Sequence, residues 1–132
     1  MMVPAQAAER KLGVDDGRLA PCPTSPNCVS SQTDQDSKLV EPFRYDGDRL
    51  AAKTKLLSVI AGFPRTHVEA DDDRYIHVVF TTRLLRFKDD VEFYFAADEP
   101  VIHVRSASRV GYSDLGTNRR RVEALRKAFA SQ

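Results

Sequence analysis

A chain of 132 residues, 42% hydrophobic and 30% charged, has room for one globular domain that buries roughly 67% of its unfolded surface without metal or disulfide staples. Its 20 basic and 19 acidic residues leave a net charge of +1, which excludes a histone-like binder held by bulk charge, and the apolar content excludes wholesale disorder. There is no uncharged apolar run of the ~18 residues needed to span a bilayer, so no transmembrane segment is expected.

Residues 1–46 lack sustained periodicity and carry four of the seven prolines between Pro4 and Pro26. They read as an extended arm, with 1–18 a mobile N-terminal segment and 19–132 a single domain. No apolar h-region precedes Ala20, so the chain as written reads as cytoplasmic; removal of a leader would make it periplasmic or otherwise exported. Cys22 and Cys28 are too few for a disulfide framework or a four-ligand zinc site. Their spacing allows a small closed loop in an oxidising compartment or two thiols in a reducing one.

Asp48 is a good N-cap for a helix with Leu50, Leu57, Ile60 and Ala61 on its apolar face and Leu56 beside them, ended by Gly62 and Pro64. From Arg65 the period becomes two. Thr66 to Ala70, Tyr75 to Thr82, Val91 to Phe95 and Val101 to Ala107 read as strands. Asp71-Asp72-Asp73, Asp89-Asp90 and Ala97 to Pro100 read as turns, and Leu84, Leu85 and Phe87 either extend the second strand past a bulge or form a separate segment. The short links imply antiparallel pairing. A closing helix from about Asp114 to Ala130 aligns Leu115, Val122, Leu125 and Phe129, with Ser113 or Thr117 as cap. The expected fold is α+β: an antiparallel meander of about four strands with an N-terminal and a C-terminal helix on one face, preceded by the arm.

The near-neutral total conceals an asymmetry. Residues 1–73 carry 9 basic and 12 acidic side chains, a net of −3, and residues 74–132 carry 11 and 7, a net of +4. Between Arg105 and Arg121 stand five arginines and one acid, Asp114. Arginine offers a planar fork suited to carboxylate or phosphate. This stretch leaves a strand, crosses a glycine-containing loop and enters a helix N-terminus, where amide donors and the helix dipole favour an anion. Arg105, Ser106, Ser108, Arg109, Asp114, Asn118 and Arg119 are therefore candidate ligand-binding residues, with Ser113 an added donor. The competing reading pairs these arginines with Asp89, Asp90, Glu92 and Asp114, including Arg105 with Glu92 across strands and Arg120 with Glu123 on the helix.

Other chemistries have weaker signals. His67, His77 and His103 lie in strands, and even were His77 to face His103, no metal site is expected. No nucleophile elbow or zinc-protease helix occurs. Aromatic residues are sparse around the basic stretch, so no nucleic-acid partner is expected, and no cofactor is implied. Oligomeric state has no signal in the sequence.

Three motifs carry a resemblance: Leu19-Ala20-Pro21-Cys22-Pro23 with Ser25-Pro26-Asn27-Cys28-Val29-Ser30-Ser31, then Phe87-Lys88-Asp89-Asp90-Val91-Glu92-Phe93, then Arg105 through Arg119. In this order over residues 19–130 they resemble the family catalogued as domain of unknown function 1499. The resemblance implies a small soluble domain, found in bacteria and plastid-bearing organisms and often behind a signal or membrane segment. It implies no activity. Asn27, Cys28, Asp89 and Asp90 are then expected to support the arginine cluster, Asp89 and Asp90 facing Arg105 and Arg109.

The leading expectation is a non-enzymatic binding module for an anionic small molecule or acidic headgroup. The alternatives are a hydrolase-like or transferase-like enzyme using the Ser/Arg/Asp cluster, with Asp114 or Asp90 as base, and a structural or partner-binding domain without a ligand.

Overall fold

A computed structural model describes residues 11–110 and 114–132. In chain order the elements are β1 (Val14–Asp15), β2 (Arg18–Leu19), β3 (Cys28–Ser30), β4 (Phe43–Arg44), α1 (Arg49–Ala61), β5 (Thr66–Asp71), β6 (Tyr75–Thr81), β7 (Lys88–Phe95), β8 (Val101–Ser108) and α2 (Thr117–Ala130). Strands β5 to β8 form the expected antiparallel meander. The sheet nevertheless has six strands, because β3 and β4 both pair with β8 along its outer edge. These additions are only three and two residues long, too short to impose a period on the sequence.

Register separates the two faces. Ile76, Phe93 and Val104 are aligned across three strands, as are Val78, Val91 and Ser106, and this face packs under both helices through Leu56, Val59, Ile60, Val122, Leu125 and Phe129. The opposite face aligns His77 with Glu92 and Arg105, and Val79 with Asp90 and Ala107. Against it lies the amino-terminal arm. Asp16 and Gly17 both take positive φ, the twist that a two-residue hairpin turn demands and that Asp-Gly supplies. Residues 14–19, assigned from sequence to the mobile segment or its border, thus form a hairpin, and the Gly13 N–H donates to Glu92 Oε2 at 2.6 Å. Residues 1–10 and Ser113, the alternative helix cap, lie outside the described residues.

Three local expectations are corrected. Asp48 caps α1 by accepting from the Ala51 N–H, but the buried stripe is Ala52, Leu56, Val59 and Ile60 while Leu50 is exposed. The true face follows an i, i+4, i+7, i+8 spacing. Asp89 and Asp90 belong to β7 rather than a turn; each carboxylate has a cationic partner on its own face, which offsets burial in a strand. Helix α2 begins at Thr117 because Leu115 and Gly116 both adopt positive φ, leaving Leu115 exposed rather than on the apolar stripe. No helix among the described residues is long and apolar enough to cross a membrane.

Candidate functional site

The arginines that the sequence groups together are distributed over two faces of the sheet. On the arm-covered face, Glu92 is fully buried and accepts from Arg105 Nη1 at 3.3 Å, from the Tyr75 hydroxyl at 2.5 Å and from Gly13. Arg105 Nη2 also donates to the Pro21 carbonyl, tying the arm down. The cross-strand pair read from the sequence is present. Burial is the main force raising the Tyr75 phenol far above its usual value, with Glu92 adding to it.

One row away, Arg109 forms a two-pronged interaction with buried Asp90: Nε to Oδ2 at 3.1 Å and Nη2 to Oδ1 at 3.0 Å. Asp90 also contacts His77 Nε2 at 2.7 Å. The Asp90 hydrogen bond holds the Arg109 guanidinium charged above its normal range. His77 and His103 are separated by β7. His103 instead meets the Ser31 hydroxyl through Nδ1 and stacks on Tyr94.

On the helix face, buried Asn118 is a hub. Its Oδ1 accepts from Ser106 Oγ at 2.6 Å and Arg121 Nη1 at 3.0 Å. Its Nδ2 donates to Asp114 Oδ2 at 2.6 Å, Ser108 Oγ at 2.9 Å and the Asn27 carbonyl at 3.3 Å. Asp114 also accepts from the Gly116 and Asn118 backbone N–H groups, supplying the start of α2 with the capping that Gly116 lacks. Burial pulls the Asp114 carboxyl upward, but these hydrogen bonds outweigh it and hold it below the usual range. Ser106, Ser108, Asp114 and Asn118 therefore converge, joined by Asn27 and by Arg121, which the sequence did not single out. Cys28 stands beside them and is bonded to Cys22, closing the small loop.

Arg119 is elsewhere. Its guanidinium donates to the Ser37 and Leu39 carbonyls and anchors the arm's short 3₁₀ turn, Asp36–Lys38. Arg120 bonds the Leu115 carbonyl, and Glu123 pairs with Arg126 instead. Arg105, Arg109 and Arg119 do not meet on one cavity.

Among the described residues Asp89 and the Arg105 Nε are the exceptions to full hydrogen bonding. Asp89 is buried, and Arg121 Nη2 stands 2.7 Å from Oδ2. Neither carboxylate oxygen makes a hydrogen bond of good angle, although the Ser108 hydroxyl and Arg121 are both within reach. Desolvation raises its pKa above the usual carboxylate value, against the opposing pull of Arg121. The carboxyl lies in the lining of a cleft of about 350 Å³ with Ser108 and Asp114 and apolar walls that include Leu84, Phe87 and Val110. A raised folded pKa means that the contribution is present in full below the unfolded value and is lost as pH rises through the folded one. The stability of the protein minus that of Asp89→Asn is thus expected to decrease as pH rises from about 3.8. Urea midpoints of the two proteins across pH measure this, and a difference that grows with pH contradicts it.

A second cavity, about 510 Å³, lies on the opposite face at the same end of the sheet. Arg65, Arg86, Lys88 and Arg109 line it, with Glu69 the one carboxylate in its lining. Setting Arg109 against Asp90 leaves three cations facing one acid. Glu69 is further engaged by His67 at 3.6 Å. Arg65 and Lys88 donate to Thr81, while Arg86 makes no hydrogen bond or ion pair among the described residues. Only Arg109 of this groove figured among the sequence candidates. The available signal was Arg83-Leu84-Leu85-Arg86-Phe87-Lys88, a basic segment with no acid between two strands.

The profile of a family described as a protein of unknown function, DUF1499, matches residues 18–129. No curated protein matches the chain.

Proposed function

The chain belongs to the DUF1499 family of proteins of unknown function, and on that premise we propose a non-enzymatic binding module for an anionic small molecule or acidic headgroup, seated in the groove of Arg65, Arg86, Lys88 and Arg109. The observation that supports it is the excess of cations there, in contrast to Arg105 and Arg121, whose charges are matched by buried carboxylates. Phosphate and carboxylate both suit such a groove: Arg109 is held rigid by Asp90, and Arg86 remains available for a two-pronged contact. Arg119 is occupied with backbone carbonyls and does not line this groove.

Thermal unfolding in the presence of inorganic phosphate, pyrophosphate or glycerol phosphate tests the proposal. A specific ligand at a hundredfold excess over Kd stabilises by about 2.7 kcal/mol, so Tm rises and saturates. Arg86→Ala/Lys88→Ala is expected to abolish the rise, while Arg119→Ala keeps it. An equal rise in the groove variant, or none with any anion, refutes the reading.

A second reading is favoured by the buried Asp89 carboxyl in the lining of the apolar cleft: a hydrolase-like or transferase-like enzyme in which Asp89 exchanges a proton with a substrate there. Asp90 and Asp114 are poorer bases because their oxygens are occupied by Arg109 and by the α2 amides. A panel of nitrophenyl esters and phosphoesters would reveal turnover that Asp89→Asn eliminates. Absence of turnover, or turnover unchanged in that variant, removes this alternative.

The Cys22–Cys28 bond supports an exported location over the cytoplasm, since disulfides persist in oxidising compartments. Intact mass with and without reductant, on protein recovered from its host, tests this; free thiols would favour the cytoplasm.

A further inference from the structure

Resting on the groove reading above, we infer that this end of the sheet docks on an anionic lipid bilayer, with Leu84 and Leu85 entering the acyl boundary while Arg83, Arg86 and Lys88 meet headgroup phosphates.

Nine large hydrophobic side chains are exposed among the described residues, and five of them, Leu84, Leu85, Phe87, Val110 and Leu115, border the cleft between the β6–β7 and β8–α2 connections. Leu84 is 85% and Leu85 69% exposed. Solitary exposed leucines are ordinary on a protein surface, but a cluster at one end is not. The β6–β7 connection is closed at its base: the Thr82 N–H donates to the Phe87 carbonyl and the Phe87 N–H to Thr82 Oγ1, both at 2.8 Å. The two leucines therefore stand on a short turn carried by paired strands. A turn of this kind can place apolar side chains in a membrane interface without unfolding the sheet.

Charge selects a bilayer over an apolar protein surface. Residues 74–88 contain Arg74, Arg83, Arg86 and Lys88 and no acid. Arg83 and Arg86 make no hydrogen bond or ion pair among the described residues, so each is available to a phosphate. Of the acids that share a cavity with this segment, Asp89 is buried beneath Arg121, Asp114 is taken up by the α2 amides and Asn118, and Glu69 is engaged by His67. Apolar side chains flanked by cations match the boundary between acyl chains and anionic headgroups. The groove of Arg65, Arg86 and Lys88 lies immediately beside the turn, so a headgroup held there belongs to a lipid whose chains lie on the same side as the leucines.

Sedimentation of the full chain with vesicles of phosphatidylcholine and phosphatidylglycerol, and with vesicles of phosphatidylcholine alone, tests the inference. Binding is expected to the mixed vesicles only and to weaken with salt. Leu84→Ser/Leu85→Ser is expected to lower partitioning at least about tenfold while leaving the glycerol phosphate response intact. Arg83→Ala is expected to lower it about fivefold. A Leu85→Trp variant should show blue-shifted emission that lipid-borne quenchers reduce. No binding to mixed vesicles at low salt, or binding indifferent to the leucine substitutions, overturns docking; if Arg86→Ala/Lys88→Ala still abolishes the glycerol phosphate response, the groove survives that result. Dimerisation removed by Leu84→Ser/Leu85→Ser, without vesicle binding, overturns it by assigning the turn to a second copy.

Discussion

Arg105→Met is expected to destabilise the domain by about 3–5 kcal/mol, the cost of leaving one partner of a buried ion pair uncompensated. Glu92 is fully buried, so it cannot recover solvation when its guanidinium is removed. Two of its contacts, Tyr75 and Gly13, would remain, but neither carries a positive charge. Typical domains have only about 5–15 kcal/mol of stability, so a loss of this size is a large fraction of the whole. Chemical denaturation measures it, and Glu92→Gln/Arg105→Met is expected to regain much of the loss because the uncompensated charge has gone. The same substitution removes the Arg105 bond to Pro21, so amide exchange in residues 13–21 should accelerate. A cost below about 1 kcal/mol would place the pair with solvent-exchanging surface bridges and contradict its role as an anchor for the arm.

The second large effect is expected at Asn118. Alanine there deletes five side-chain hydrogen bonds and leaves Ser106 and the Asn27 carbonyl facing a small void, at about 2–4 kcal/mol. The amide has only two N–H hydrogens to share among three acceptors, so Ser108, Asp114 and Asn27 already compete for it. Asn118→Asp should cost more than alanine at neutral pH, since it sets a second carboxylate against Asp114 and removes both donors. As pH falls and carboxylates protonate, the two variants are expected to converge. Urea unfolding at neutral and at acidic pH checks this, and an aspartate variant as stable as the wild type at neutral pH would show that Asn118 is not the hub of this network.

Much of the scaffold was legible because it rests on patterns of adequate length. Strands β6 to β8 alternate over seven or eight residues, and α2 presents Val122, Leu125 and Phe129 at helical spacing. The Arg105–Glu92 pair could be read because both belong to such strands. What was missed depends on distant partners. Asp89-Asp90 resembles a turn until Arg121 and Arg109 approach from opposite faces of β7. Asp16-Gly17 signals a hairpin, but its flanking strands are two residues each, and the segment is held in place by Glu92, by Gln32 and by the Arg105 bond to Pro21. The five clustered arginines share a sequence neighbourhood without sharing a cavity, because a strand alternates its side chains and a helix rotates them. Conversely, Arg65 and Arg109 are 44 positions apart and meet only because the registers of β5 through β8 bring Thr66, Phe80, Asp89 and Ser108 into one row. The charge asymmetry of the sequence was thus a sound indicator of a basic region and a poor guide to its address.

The central claim is that the basic groove, not the neutralised arginine network, receives an anion. Amide chemical shifts followed during titration with glycerol phosphate test it most directly. The account predicts saturable changes concentrated on Arg65, Thr66, Thr81, Arg86 and Lys88, absent from Arg86→Ala/Lys88→Ala. Changes centred instead on Arg105, Ser106 and Asn118, or no saturable change at all, would contradict it.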